Sequence, residues 1–196
     1  DDLCNVYQCS FESGGKTWQA MFRLTRDSAD NDLVQNEVRI LSYLQSTPNY
    51  ADYRAFVPLL MESFLYQDAG ASGSAQVNIL SLHEHVASPS ELYTLEEVRR
   101  YYDSGIDSKD MAWMWRRLLY ILGFVHAHKV IHGAVLPLHV LIEPREHKLA
   151  LTGWGFAVRD SERTKQHLSA ISTSYEHWYP PEVLAKQVPH NGLDLL

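Results

Sequence analysis

Residues 131–154 read IHGAVLPLHVLIEPREHKLALTGW. A His-Gly-Ala turn leads into the short apolar run HVLI (His139–Ile142). A polar turn follows, then a second apolar run KLALT (Lys148–Thr152) and Gly153-Trp154-Gly155. Two such runs split by a polar turn predict a β-hairpin. Loops flanking a rigid hairpin are where a scaffold displays reacting groups. The layout suggests an active site, yet Ala134 and Gly153 bring no carboxylate to it.

Just upstream, Met111, Met114, Trp115, Leu118, Ile121, Leu122 and Val125 recur at helical spacing. They predict a core helix over Lys109–His128, capped by Asp107 or Ser108, with Trp115 inward and Trp113 outward. TLEEVRRYY predicts a short helix with Thr94 as N-cap and Glu97 at the capping-box position. Downstream, the segment from Phe156 to Trp178 is long, polar and irregular, the form of a functional loop. YPPEVLAKQ opens a short helix on prolines.

The first part of the chain is different. NVYQCSF and TWQAMFRLT, joined by ESGG, predict an antiparallel hairpin. Its GGKT is a turn rather than a phosphate loop, because Ser10 stands where the leading glycine belongs and a strand follows. DSADND offers helix caps, and the next helix sets Leu33, Ile40, Leu41 and Leu44 on one face. Glu37 falls on that face, and a buried carboxylate needs a cation. The neighbouring strand supplies Arg23, although an edge position reaching water is the alternative. FVPLLMESFLY and VNILSLHEHV predict further strands around the small polar turn QDAGASGSAQ. Strands with one helix, then helices around one hairpin, make an α+β fold in two lobes. The expected division is 1–84 for the first lobe, 85–94 for a connector and 95–196 for the second.

The chain has 196 residues and a net charge of −7, with its basic residues scattered. That argues against nucleic acid or an anionic membrane as partner. No apolar run approaches the roughly 18 residues of a membrane span. Two cysteines, Cys4 and Cys9, give no disulfide framework, so a reducing, cytoplasmic setting is expected. The opening DDL and closing GLDLL read as cut edges of a longer chain, and the second lobe is expected to be incomplete.

Together these segments resemble the protein kinase fold over almost the whole chain. Kinases carry a strand Lys, a helix Glu, H-R-D-L-x-x-x-N, D-F-G and A-P-E in that order. Here AMFRL, NEVRIL, HGAVLPLH, TGWG and YPPEVL take those places. Arg23 stands for the lysine and Glu37 for its partner. The resemblance implies a residual phosphate or nucleotide site at Arg23, Glu37 and Ala20, with Ala20 above an adenine. It further implies a structural role for His132, a brace from Asp194 to the loop backbone, and a distant arginine partner for Glu182. Trp154 takes the place of the motif's phenylalanine under the first lobe's helix, where its larger ring would fill nucleotide volume.

The departures fall on the chemistry. The family's proton acceptor and its two magnesium ligands correspond to Ala134, His139 and Gly153, and Leu136 replaces a lysine. Imidazole suits zinc or copper better than magnesium. The resemblance is therefore to a pseudokinase, a form also seen in bacterial kinase-like proteins. It implies no catalytic residue, no metal and no required cofactor, with ATP binding the lesser expectation. The implied work is regulation or contact with an unnamed protein partner. The alternatives are a weak phosphotransferase using Glu143 or Asp160, or a nucleotide sensor. His126, His128 and His132 in HAHKVIH are read as structural rather than as metal ligands, and HEH (His83–His85) as connector. Ser and Thr of SERTKQ are possible phosphate acceptors for another kinase.

Overall fold

A computed structural model gives the fold of the protein and describes residues 2–68, 73–82, 91–102 and 104–195. Strands β1 (Cys4–Ser13) and β2 (Lys16–Thr25) pair antiparallel, with Ser13 opposite Lys16. Only Gly14 and Gly15 lie between them, at φ +61° and +73°. A two-residue loop with both residues left-handed matches the right-handed twist of the flanking strands, and glycine adopts it without strain.

Asp27 then accepts a hydrogen bond from the Ala29 N–H (2.9 Å) and caps a 3-10 turn, which runs into helix α1 (Asn31–Gln45). The buried face of α1 carries Leu33, Val34, Glu37, Ile40, Leu41 and Leu44, as the spacing predicts. A short helix α2 (Tyr50–Tyr53), which the sequence pattern did not signal, precedes strands β3 (Leu59–Tyr66) and β4 (Ala75–Ser81). The four strands form one antiparallel sheet in the order β1-β2-β4-β3.

The remainder is mostly helix and hairpin. Strand β5 (Tyr93–Thr94) leads into helix α3 (Leu95–Tyr101), whose capping box is complete: Thr94 Oγ1 accepts from Glu97 N, and Glu97 Oε2 accepts from Thr94 N. Helix α4 (Ser108–Ala127) is capped by Asp107, which accepts from Lys109 N at 2.8 Å. After β6 (Val130–Ile131) comes the expected hairpin of β7 (Val140–Glu143) and β8 (Lys148–Leu151), to which β5 adds a third strand. The long polar segment holds β9 (Val158–Arg159), paired with β6, and α5 (Ser161–Thr164). Helix α6 (Pro181–Leu184) starts on proline.

One buried cluster joins Ile40, Leu41 and Leu44 of α1, Leu80 at the end of β4, Ile121, Leu122 and Val125 of α4, and Leu149, Leu151 and Trp154 around the hairpin. The architecture is α+β with an antiparallel sheet in its N-terminal part. HEH lies outside the described residues, and so does the expected connector as far as residue 90, its last two residues being β5. One expectation is corrected. Trp115 is 47% exposed and Met111 is exposed too, whereas Trp113 packs against the core. The inward stripe centres on Met114, Leu118, Ile121 and Val125. Trp115 lies about 100° round the helix from Met114, at the margin of that stripe.

Candidate functional site

Alternation along β2 decides which of its side chains meet α1. Met21, Arg23 and Thr25 are buried on one face. Arg23 Nη1 donates to Glu37 Oε2, and both side chains are almost fully buried. Asn78 of β4 donates to the same oxygen (3.0 Å) and to the Val34 carbonyl (2.9 Å), tying strand, helix and ion pair together. Glu37 Oε1 is buried without a hydrogen-bond partner. The paired reading of Glu37 therefore holds. Ala20 does not join this group. It lies three positions before Arg23, an odd offset, so it faces the other side of the sheet, against Val77 and Ile79. Met21 shares the face of Arg23 instead. Cys4 and Cys9 are both free, and burial pushes the Cys4 thiol up.

The His-Gly-Ala loop is held by its backbone. Asp194 is buried, and its carboxylate accepts from His132 N and Gly133 N, each at 2.8 Å. Its Oδ2 also lies 2.8 Å from His126 Nε2. His132 Nε2–H donates to the Thr152 carbonyl (2.8 Å), and its Nδ1 accepts from Ala134 N (3.3 Å). Burial pushes its pKa down to about 4. Gly133 sits at φ +75°, and a Cβ there would lie 2.7 Å from Leu168 and 3.0 Å from the Phe156 carbonyl. The turn thus requires glycine twice over.

Beside this loop, at the open end of the β7–β8 hairpin, His139 and Gly153 form a matched pair. Gly153 has φ +83°, and a Cβ on it would stand 2.6–2.8 Å from the imidazole of His139. The ring fills the space that a side chain at 153 would need. His139 is fully buried, and its Nδ1–H donates to the Ala134 carbonyl at 2.8 Å. That bond fixes the tautomer, because a carbonyl only accepts. Nε2 is then a bare lone pair, buried and without a partner. Burial pushes its pKa down to about 4, opposed in part by Asp2, whose Oδ2 is likewise buried and unpartnered. His139 is neutral at physiological pH. A neutral imidazole with a carbonyl on Nδ1 can accept a hydrogen bond or ligate a borderline metal at Nε2.

The adjoining turn locks onto α1. Asn36 Nδ2 donates to the Gly155 and Ala157 carbonyls (3.0 and 2.9 Å). A Cβ at Gly155 would lie 2.9 Å from the Leu33 carbonyl. Trp154 is buried in the core with Ile40 and Leu41, its Nε1–H donating to the Leu151 carbonyl (2.8 Å) and its ring 4.6 Å from His132. It packs beneath the helix, as the resemblance implied.

The candidate displaced carboxylates are engaged elsewhere. Glu143 caps the hairpin turn, accepting from Arg145 N (2.9 Å) and Glu146 N (2.7 Å). Asp160, at φ +53°, faces Arg159 (3.6 Å) and Arg163 (3.4 Å). Among the described residues, no group of three or more His, Cys, Asp or Glu could hold a metal ion. The magnesium that a kinase-like fold implies does not fit these residues: Ala134 and Gly153 offer no oxygen, and His139 offers nitrogen. No described helix is long and apolar enough to cross a membrane. Asn36 and Asn78 escaped the sequence reading, because their roles depend on strand register and close approach rather than on any motif.

No family model matches the chain. A curated protein of Dictyostelium discoideum, named a probable serine/threonine-protein kinase, is 26% identical over 165 residues. The match covers 83% of this chain and 23% of the relative, so the chain spans about a quarter of that protein's length. The similarity is distant, and it is to a kinase. It overturns the expectation that the chain is not an enzyme, because the relative's name points toward one.

Proposed function

We propose that this chain is a protein kinase-like domain with a regulatory role exercised through protein binding, and that any phosphotransfer it carries runs outside the family's aspartate route. The observation that carries this reading is the His139 ring seated in the volume of a side chain at Gly153. The ion pair of Arg23 with Glu37 and the Asp194 brace support the kinase-like part. The relative named a probable kinase supports it from outside. A two-lobed form, with 1–84 and 95–196 joined through 85–94, belongs to the same reading. So does a nucleotide site on Arg23, whose guanidinium suits bidentate contact with phosphate oxygens.

Label transfer from γ-labelled ATP to the chain itself and to a generic protein acceptor tests the reading. It is run with magnesium and with manganese, on the unaltered chain, Arg23→Met and His139→Ala. The account expects any transfer to fall with Arg23→Met and to lie well below an ordinary kinase rate. Loss of one electrostatic group alone costs roughly 100- to 1,000-fold. Magnesium-dependent transfer at an ordinary rate that survives His139→Ala would overturn it.

A further inference from the structure

A second cavity, of about 600 Å³, opens between α3, the start of α4 and the turn joining β7 to β8, among residues separate from the site above. Its walls are aromatic: Tyr93, Tyr101, Tyr102 and Trp113. Two carboxylates, Glu97 and Asp110, and one imidazole, His147, line it, and no Lys or Arg does among the described residues. The volume suits a small ligand or one anchoring side chain.

The details favour a cationic guest. Each carboxylate spends one oxygen on local geometry. Glu97 Oε2 closes the capping box of α3, and Asp110 Oδ1 accepts from the Trp113 indole N–H at 3.2 Å, which orients the ring. Glu97 Oε1 and Asp110 Oδ2 accept no hydrogen bond among the described residues. Arg99 and Arg100 pair with Glu96, Arg145 with Glu91 and Lys148 with Glu146, while Lys109 precedes Asp110 on α4. The Trp113 ring also meets that of His147, another lining residue, 5.0 Å away and tilted by 46°, at a position held at φ +52°. A left-handed non-glycine residue is a cost that the surrounding packing sustains. Tyr101 is 81% exposed and Tyr102 about half exposed, their rings edge to face at 5.0 Å. Aromatic faces beside carboxylates attract an ammonium both by ring quadrupole and by charge.

We propose that this cavity binds an organic ammonium group, either as a free quaternary amine or as the methylated lysine of a partner polypeptide. The inference stands apart from the kinase-like reading and survives its failure. The probe is choline chloride, followed through the indole N–H resonances in an NMR titration, with 3,3-dimethylbutanol as its uncharged carbon analogue. Choline is expected to shift the Trp113 resonance saturably, and the alcohol to bind about ten-fold more weakly. Asp110→Asn and Tyr101→Ala, both at exposed positions, are each expected to weaken choline several-fold. A trimethyl-lysine peptide that binds more tightly than choline assigns the group to a partner chain; choline equal to the peptide assigns it to a free amine. Equal binding of choline and the alcohol, or no saturable shift in a folded protein, overturns the proposal.

Discussion

Two neighbouring places at the open end of one hairpin are treated in opposite ways. At 132–134 the polar atoms described are partnered: Asp194 takes two backbone donors, and His132 satisfies both ring nitrogens. At 139 and 153 an imidazole nitrogen is left bare beside the position where a carboxylate would stand. The first place holds a backbone in position, and the second is where the resemblance would put metal chemistry. The difference teaches that the positioning machinery and the reacting groups of this scaffold are separable. The brace holds the loop backbone through hydrogen bonds that do not involve the side chains at 134, 139 or 153.

The sharpest way to test that separation is at the ion pair. Arg23→Met leaves a buried carboxylate without its guanidinium, and a loss of about 3–5 kcal/mol is expected in denaturant unfolding. A loss under 1 kcal/mol would mean that the pair is a bystander. Next comes the brace. Asp194→Ala strands two buried N–H groups, at about 1–3 kcal/mol each. Hydrogen exchange should quicken at His132 and Gly133 while the β1–β2 hairpin is unchanged. Equal quickening in both places would show that the brace is not local.

A smaller effect concerns pH. His132 and His139 titrate near 4 in the folded chain, below the ordinary histidine value of about 6.5. Between those values the unfolded chain binds more protons, so stability rises with pH. Their contribution is complete above about 6.5 and is lost as pH falls toward 4. His139→Asn should flatten the slope in that window, and an unchanged slope would place the titration elsewhere. Smallest is the cap: Thr94→Ala should cost about 1 kcal/mol without touching the corner.

Much of this was legible in the sequence because the signals were local. Gly14-Gly15 between alternating runs fixed the hairpin, Thr94 with Glu97 fixed a helix start, and the order of short motifs fixed the succession of elements. Glu37 was found from the cost of a lone carboxylate on an apolar face. What failed was contact geometry. Ala20 and Arg23 were read into one site although an odd separation along a strand turns them to opposite faces. Trp115 and Trp113 exchanged places because a periodic stripe gives a helix its inner side but not the width that neighbours cover. The match between His139 and Gly153 lies across two strands, and no local pattern encodes it.

The central claim is that this ring and this glycine are one unit. A double-mutant cycle on His139→Ala and Gly153→Ala, read by equilibrium unfolding, tests it. Alone, Gly153→Ala should cost about 3 kcal/mol or more, from the clash and from the left-handed backbone. In the His139→Ala background only the backbone share, about 1–2 kcal/mol, should remain. Equal costs in both backgrounds would mean that the ring does not occupy that space, and the account of the corner would be wrong.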